Sequence, residues 1–244
     1  MTIAKPYNPN AIPVMISTGI ASVLAILLAI STTMKLLKKK TKLTLILSTV
    51  IYLTTAAVLM SFLGQLDWYL TTIYKHEPYL YLYSGPIGYT LVGLIILLLI
   101  RFSSIVFKWR EYWFWVNVVI VGIILVVVYH PLNWWGQTVP ENAINLRPLT
   151  QMLILIYVAI TTIRMGINSF SAAKIASDEL IKENFKDIGK AMFSIFGAFM
   201  LFLLDAIVSL LTHWEYNVVA WVSWWPIILS IFYLYRGFFA RKIK

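Results

Sequence analysis

Asp205 is the acid in this chain whose surroundings most need an explanation. It lies inside an apolar run from Ala191 to Thr212. A carboxylate at mid-membrane costs about 2.5–3.5 kcal/mol on insertion scales, so it is expected to face a bundle interior and to have partners. It sits about seven residues, on the order of 10 Å, from the far end of the run. Tyr89, Tyr157 and Ser223 are expected at similar depth in neighbouring runs, and Trp224, Trp225 and Pro226 level with it. The expected site is therefore an outer-half pocket of Asp205, Tyr89, Tyr157, Ser223 and Trp224. Such a pocket suits a proton, a cation or a ligand. A hydrogen-bonded acid that fastens helices together is an equal alternative.

His76, His130 and His213 fall in three different connections on that same side. Histidine titrates near neutral pH and is the commonest metal ligand, so these residues suit a pH or metal response. No two have ligand spacing in sequence, and unrelated interfacial histidines are the simpler reading. The side is also dense in aromatic rings, among them Trp68, Tyr79, Tyr83, Trp134, Trp135 and Trp214. A membrane-interface belt explains most of them. A cage for a cationic or lipid-like ligand would need only a few.

Other chemistry finds little to stand on. The chain has no cysteine, which removes disulfides, thiolate metal sites and cysteine nucleophiles. No zincin, nucleophile-elbow, P-loop or EF-hand motif occurs. We expect a non-enzyme with no cofactor and no resident metal. Arg164, near one end of its apolar run, is expected to snorkel to headgroups, with Asn117 as its level-mate.

These residues must be positioned by membrane helices. Of 244 residues, 60% are hydrophobic and 12% charged, whereas soluble domains carry roughly 25% charged residues. Within lipid only helices or closed barrels satisfy the backbone, and the continuous runs of about twenty apolar residues fit helices. Seven are expected: Ile12 to Met34, Leu43 to Gln65, Tyr79 to Ile100, Tyr112 to His130, Leu149 to Asn168, Ala191 to Thr212 and Val218 to Tyr235. The third carries Ser84, Gly85, Pro86 and Gly88 and is expected as one kinked helix. The expected fold is all-α, a single seven-helix domain over residues 1–244, with no removable signal peptide.

Charge then orients it. Seventeen of the twenty Lys and Arg residues fall on one side of this layout, leaving Lys5, Lys75 and Arg147 on the other. Basic loops stay cytoplasmic, so the N-terminus is expected outside and the C-terminus inside the cell membrane. The formal charge of +10 is read as contact with an anionic inner leaflet, notably through Lys38, Lys39, Lys40 and Lys42. No nucleic-acid partner is expected. The longest cytoplasmic piece, 169–190, contains a helical extension at about 177–190. Ser177 is expected to cap it, with Asp178–Lys182 and Asp187–Lys190 pairs on a solvated surface and Ile181, Phe185 and Ile188 on one face. With the C-terminal tail, it is the surface expected to meet a membrane or cytoplasmic protein partner.

Topology alone is similar to that of microbial rhodopsins and G-protein-coupled receptors. Retinal is disfavoured, because Val218 to Tyr235 contains no lysine. Receptor-type endings of the third and seventh helices are also absent. A closer likeness lies in Ala173-Lys174-Ile175-Ala176-Ser177-Asp178-Glu179-Leu180-Ile181-Lys182. This stretch resembles the A-x-x-A-x-D-P-L-x-R loop of the seven-helix sensor module that precedes some prokaryotic histidine kinases, with Glu179 in place of the proline. The resemblance implies a sensor, or a receptor-like module that signals through partner proteins. An accessory or structural subunit of a larger membrane complex is the alternative, and a small transporter the second alternative.

Overall fold

The computed structural model describes residues 7–38, 40–140, 143–212 and 218–240. Among the described residues, seven helical stretches are long and apolar enough to cross a membrane, and the fold is an all-α transmembrane bundle. The helices are α1 (Ile12–Leu36), α2 (Lys42–Tyr74), α3 (Tyr79–Val106), α4 (Glu111–Val128), α5 (Arg147–Ile175), α6 (Glu179–Thr212), α7 (Val218–Val222) and α8 (Trp225–Tyr235). The seventh span, expected as one helix, is broken at Ser223 and Trp224 into α7 and α8. Pro226, in the first turn of α8, has no N–H to continue the ladder from α7. Pro86, by contrast, stays inside an unbroken α3.

Consecutive helices pack side by side, and α8 closes the ring against α6 and α1. Their shared core includes Ala21, Leu47, Ile51, Ile96, Val158, Met165, Met192 and Ile231. Lipid supplies no hydrophobic drive between helices, so close packing and hydrogen bonds must hold them. Both are present. A Cβ at Gly64 on α2 would lie 2.7 Å from the Ser84 Cβ of α3, so those backbones meet closely. Ser17 donates to the Trp221 carbonyl at 2.9 Å and Ser31 to the Tyr235 hydroxyl at 2.7 Å, stitching both halves of the seventh span to α1. Other buried hydroxyls bond within their own helix, as Ser48 does to Thr44 and Ser169 to Met165.

Two helices run well past the hydrocarbon. α2 has 33 residues and α6 has 34, each about 50 Å long against a core of about 30 Å. α2 continues to a left-handed cap at Lys75, beyond the expected end at Gln65. α6 overhangs at the other end, carrying the expected extension into the span without a break. Crossing alternately, the helices place the connections 37–41, 107–110 and 176–178 with the C-terminal turn at one end. We call this the basic face. The connections 75–78 and 129–146 lie at the opposite, aromatic face.

The extension corrects three expectations. Its cap is Asp178, not Ser177: the Asp178 carboxylate accepts from the N–H groups of Leu180 at 2.7 Å and Ile181 at 3.1 Å. Lys182 pairs with Glu179 at 3.1 Å rather than with Asp178, which is committed to capping. The surface is also not simply solvated. Asp187 and Ile188 are buried and Phe185 packs against the core, while Ile181 remains exposed.

Candidate functional site

The aromatic face is organised by two polar residues. The first is Asp67, on the overhang of α2. α3 starts after Pro78 with no side-chain cap of its own, which leaves orphan N–H groups at a positive helix end. Asp67 Oδ2 accepts from Leu80 N–H at 2.8 Å and Tyr81 N–H at 3.3 Å, while Oδ1 meets His76 Nε2 at 2.8 Å. One carboxylate thus fixes both the start of α3 and the histidine of the preceding turn. Below it, Trp68 is fully buried, stacked on Tyr81 at 4.4 Å and edge-on to Tyr7 at 4.9 Å.

The second organiser is Asn133, in a single 3-10 turn, Pro131–Asn133. Its fully buried amide donates to the carbonyls of Val127, Val128 and His130, and its oxygen accepts from the Thr150 hydroxyl at 2.7 Å. This ties the end of α4 to the start of α5. The chain then reverses through Trp134 at φ 48° and Gly136 at φ 65°. Glycine is needed there twice over, since a Cβ would also lie 3.0 Å from the Tyr81 ring. The indole N–H of Trp135 donates to Val128 O at 2.8 Å, and that of Trp134 to Ile144 O at 3.0 Å.

Between this loop and the first turns of α3 lies a cleft of about 490 Å³. Tyr79, Tyr83, Tyr129, Trp134 and Trp135 form much of its wall. His76, His130 and Glu77 also line it, so two of the three sequence-singled histidines come to one place. His130 Nδ1 accepts from Leu132 N–H at 3.3 Å. Among the described residues, no three His, Asp or Glu side chains are grouped to hold a metal ion. His213 lies outside the described residues.

The expected outer-half pocket is divided. Tyr89 and Tyr157 line one internal cavity among α3, α4 and α5, of only about 10 Å³, about one water's worth of space. Asp205, Ser223 and Trp224 are not among the residues of its wall. Ser223, fully buried, donates to Val219 O at 2.6 Å, and Trp224 packs edge-on against Phe202 of α6 at 5.2 Å. Asp205 is half-buried on α6. Of these two spaces, the one large enough for a ligand is the cleft at the aromatic face.

The level-mates also change. Asn117 accepts from the Tyr157 hydroxyl at 2.8 Å. Arg164 lies over the rings of Trp109 at 4.5 Å and Trp113 at 5.8 Å, a cation–π arrangement in place of an amide contact.

At the basic face, Lys38, Lys40 and Lys42 are exposed around the Thr41 capping box, and Lys39 lies outside the described residues. The feature that sequence reasoning missed is the pairing of a buried Asp187 with Arg236. The aspartate side chain is 0% exposed, and the guanidinium of Arg236 bonds both its oxygens, Nε to Oδ2 at 2.9 Å. Lys190, the expected partner, also forms an ion pair with it, at the longer distance of 4.0 Å. Arg236 begins a π turn, Arg236–Ala240, that follows α8. The carboxylate hydrogen bond holds its guanidinium pKa above the usual arginine value. Gly237 lets this turn lie close to α6: a Cβ there would be 3.3 Å from Asn184 O. A bidentate lock therefore joins the end of the seventh span to the overhang of α6. Periodicity carries no sign of it, because the partners are 49 residues apart.

Comparison with protein-family models, with curated proteins and with solved structures finds no match to this chain.

Proposed function

We propose that this chain is a non-enzymatic sensor or receptor-type module of the cell membrane, with its N-terminus outside, that receives a ligand at the aromatic face and acts through partner proteins at the basic face. The cleft carries this reading. Its volume of about 490 Å³ falls within the range of small-molecule sites, about 300–1,000 Å³. Its walls belong to the α2–α3 connection, α3 and the α4–α5 loop, which Asp67 and Asn133 hold to α2 and α5. The Asp187–Arg236 lock supports an output at the other end, where the loop resembling that of kinase-linked sensors joins α5 to α6.

The chain contains no native cysteine, so paired labels at Lys38→Cys and Ile175→Cys report cleanly on the basic face. Filling the cleft with Gln137→Trp is expected to shift the distance distribution between the labels. An unchanged distribution in a folded, filled variant refutes coupling and with it the sensor reading. One observation favours the accessory-subunit reading: the span of α4 is only 11% buried, leaving Val119, Ile123 and Val126 free to meet lipid or another subunit. Stoichiometric co-purification of an intramembrane partner along α4 would support it.

A further inference from the structure

The cleft is not chemically neutral. The polar ends of four of its five rings are already committed to the protein: Trp134 Nε1 to Ile144 O, Trp135 Nε1 to Val128 O, the Tyr129 hydroxyl to Thr90 at 3.0 Å, and the Tyr79 hydroxyl to the Glu77 carboxylate. What these rings offer an occupant is π surface. Among the described residues, no Lys or Arg lines the cleft. Arg147, whose guanidinium is 5.4 Å from the Trp135 ring, stands outside the wall. His130 Nδ1 is taken up as the acceptor of Leu132 N–H at 3.3 Å. His76 is engaged by Asp67, whose two oxygens already have three donors. Among the described lining residues, Glu77 is the one that carries a carboxylate.

Aromatic faces together with one carboxylate select a positive charge inside an apolar envelope. We propose that the cleft binds a small organic cation, an alkylated ammonium group. The group can come from a soluble amine or from the headgroup of a zwitterionic lipid. The proposal rests on the cleft being the input site, and it adds the ligand's chemistry.

The test uses the full chain in nanodiscs of phosphatidylglycerol, which carries no ammonium. Choline and its uncharged isostere 3,3-dimethyl-1-butanol are offered together, and saturation-transfer NMR reads the methyl groups of each. Choline is expected to receive saturation and the isostere roughly tenfold less, with Glu77→Gln and Tyr83→Leu each weakening choline by about five- to tenfold. Both substitutions are at exposed positions, and helical circular dichroism shows whether each variant is folded. Equal saturation of the isostere, no saturation of either, or no effect of both folded variants overturns the cation assignment.

Repeating the titration in phosphatidylcholine discs separates the sources. Suppression of the choline signal identifies the headgroup as occupant, and an unchanged signal identifies a soluble amine. The label distances at Lys38 and Ile175 are measured without any cation. Failure of the ligand class therefore leaves the sensor reading standing, and failure of coupling leaves the ligand class standing.

Discussion

Removing the arginine of the buried lock, with Arg236→Met, tests whether the C-terminal turn holds α6 in place. Asp187 is fully buried and would lose both hydrogen bonds from Arg236. Stripping one partner from a buried pair costs about 3–5 kcal/mol. Two features of the structure favour the lower end. Lys190 Nζ remains 4.0 Å from Asp187 Oδ1, and the Arg236 side chain is itself 35% exposed. A loss of about 3 kcal/mol is roughly a hundredfold in the folded-to-unfolded ratio. Steric-trap unfolding in bicelles measures that ratio directly. Replacing both partners, Asp187→Leu with Arg236→Met, removes the stranded charge and is expected to recover most of the loss. The sign with pH also follows. A pKa raised in the fold contributes fully below its unfolded value and is lost only as pH rises through the folded one. For Arg236 both values lie in strong alkali, so its contribution stays flat from about pH 6 to 9. A single variant within about 0.5 kcal/mol of wild type, or a double variant no better than the single, refutes the lock.

Other perturbations address the packing and the cleft's supports. Gly64→Ala is expected to destabilise by about 1–3 kcal/mol, because its Cβ meets the Ser84 Cβ. Gly122→Ala, with nothing within 4 Å, should gain up to about 1 kcal/mol from helix propensity. Thermal unfolding of the pair in one detergent gives the comparison. Asn133→Ala should cost about 1–3 kcal/mol by removing the buried amide that bridges the end of α4 to the Thr150 hydroxyl, and Trp fluorescence should report loosening around Trp134 and Trp135. Asp67→Ala should cost about 1 kcal/mol as a lost cap. Hydrogen exchange should quicken at the Leu80 and Tyr81 amides, and unchanged exchange there contradicts the capping role.

Much of the fold could be read from the chain because lipid makes strong demands on it. Long apolar runs located every span, and breaks in hydrophobicity lay close to breaks in helix. The misses came where local chemistry outranked hydropathy. α2 runs nine residues past Gln65 because a polar sequence can stay helical beyond the hydrocarbon. Ser177 resembled a cap, but the carboxylate one position later reaches two N–H groups. The split of the seventh span reflects Pro226 acting on the turn before it. The site was harder. Depth along a helix indicates level but not azimuth, so Tyr89 and Tyr157 share a cavity whose wall does not include Trp224. His76 and His130 line one cleft because the Asn133 turn folds the α4–α5 loop onto α3, and neither period nor spacing encodes that. A buried asparagine bonded to three carbonyls leaves little trace in sequence beyond its position near Pro131.

α4 combines two properties whose joint effect falls on the bilayer. It has 18 residues, about 27 Å of helix against a hydrocarbon thickness of about 30 Å. It is also the span least covered by its neighbours, at 11% buried. Lipids along this flank must therefore thin or tilt to meet a short wall, while those beside α2 and α6 face much longer ones. Each ångström of mismatch carries a fraction of a kcal/mol. The boundary lipid becomes asymmetric around the bundle, and the protein should partition towards thinner bilayers, where the α4 flank fits without deforming its surroundings.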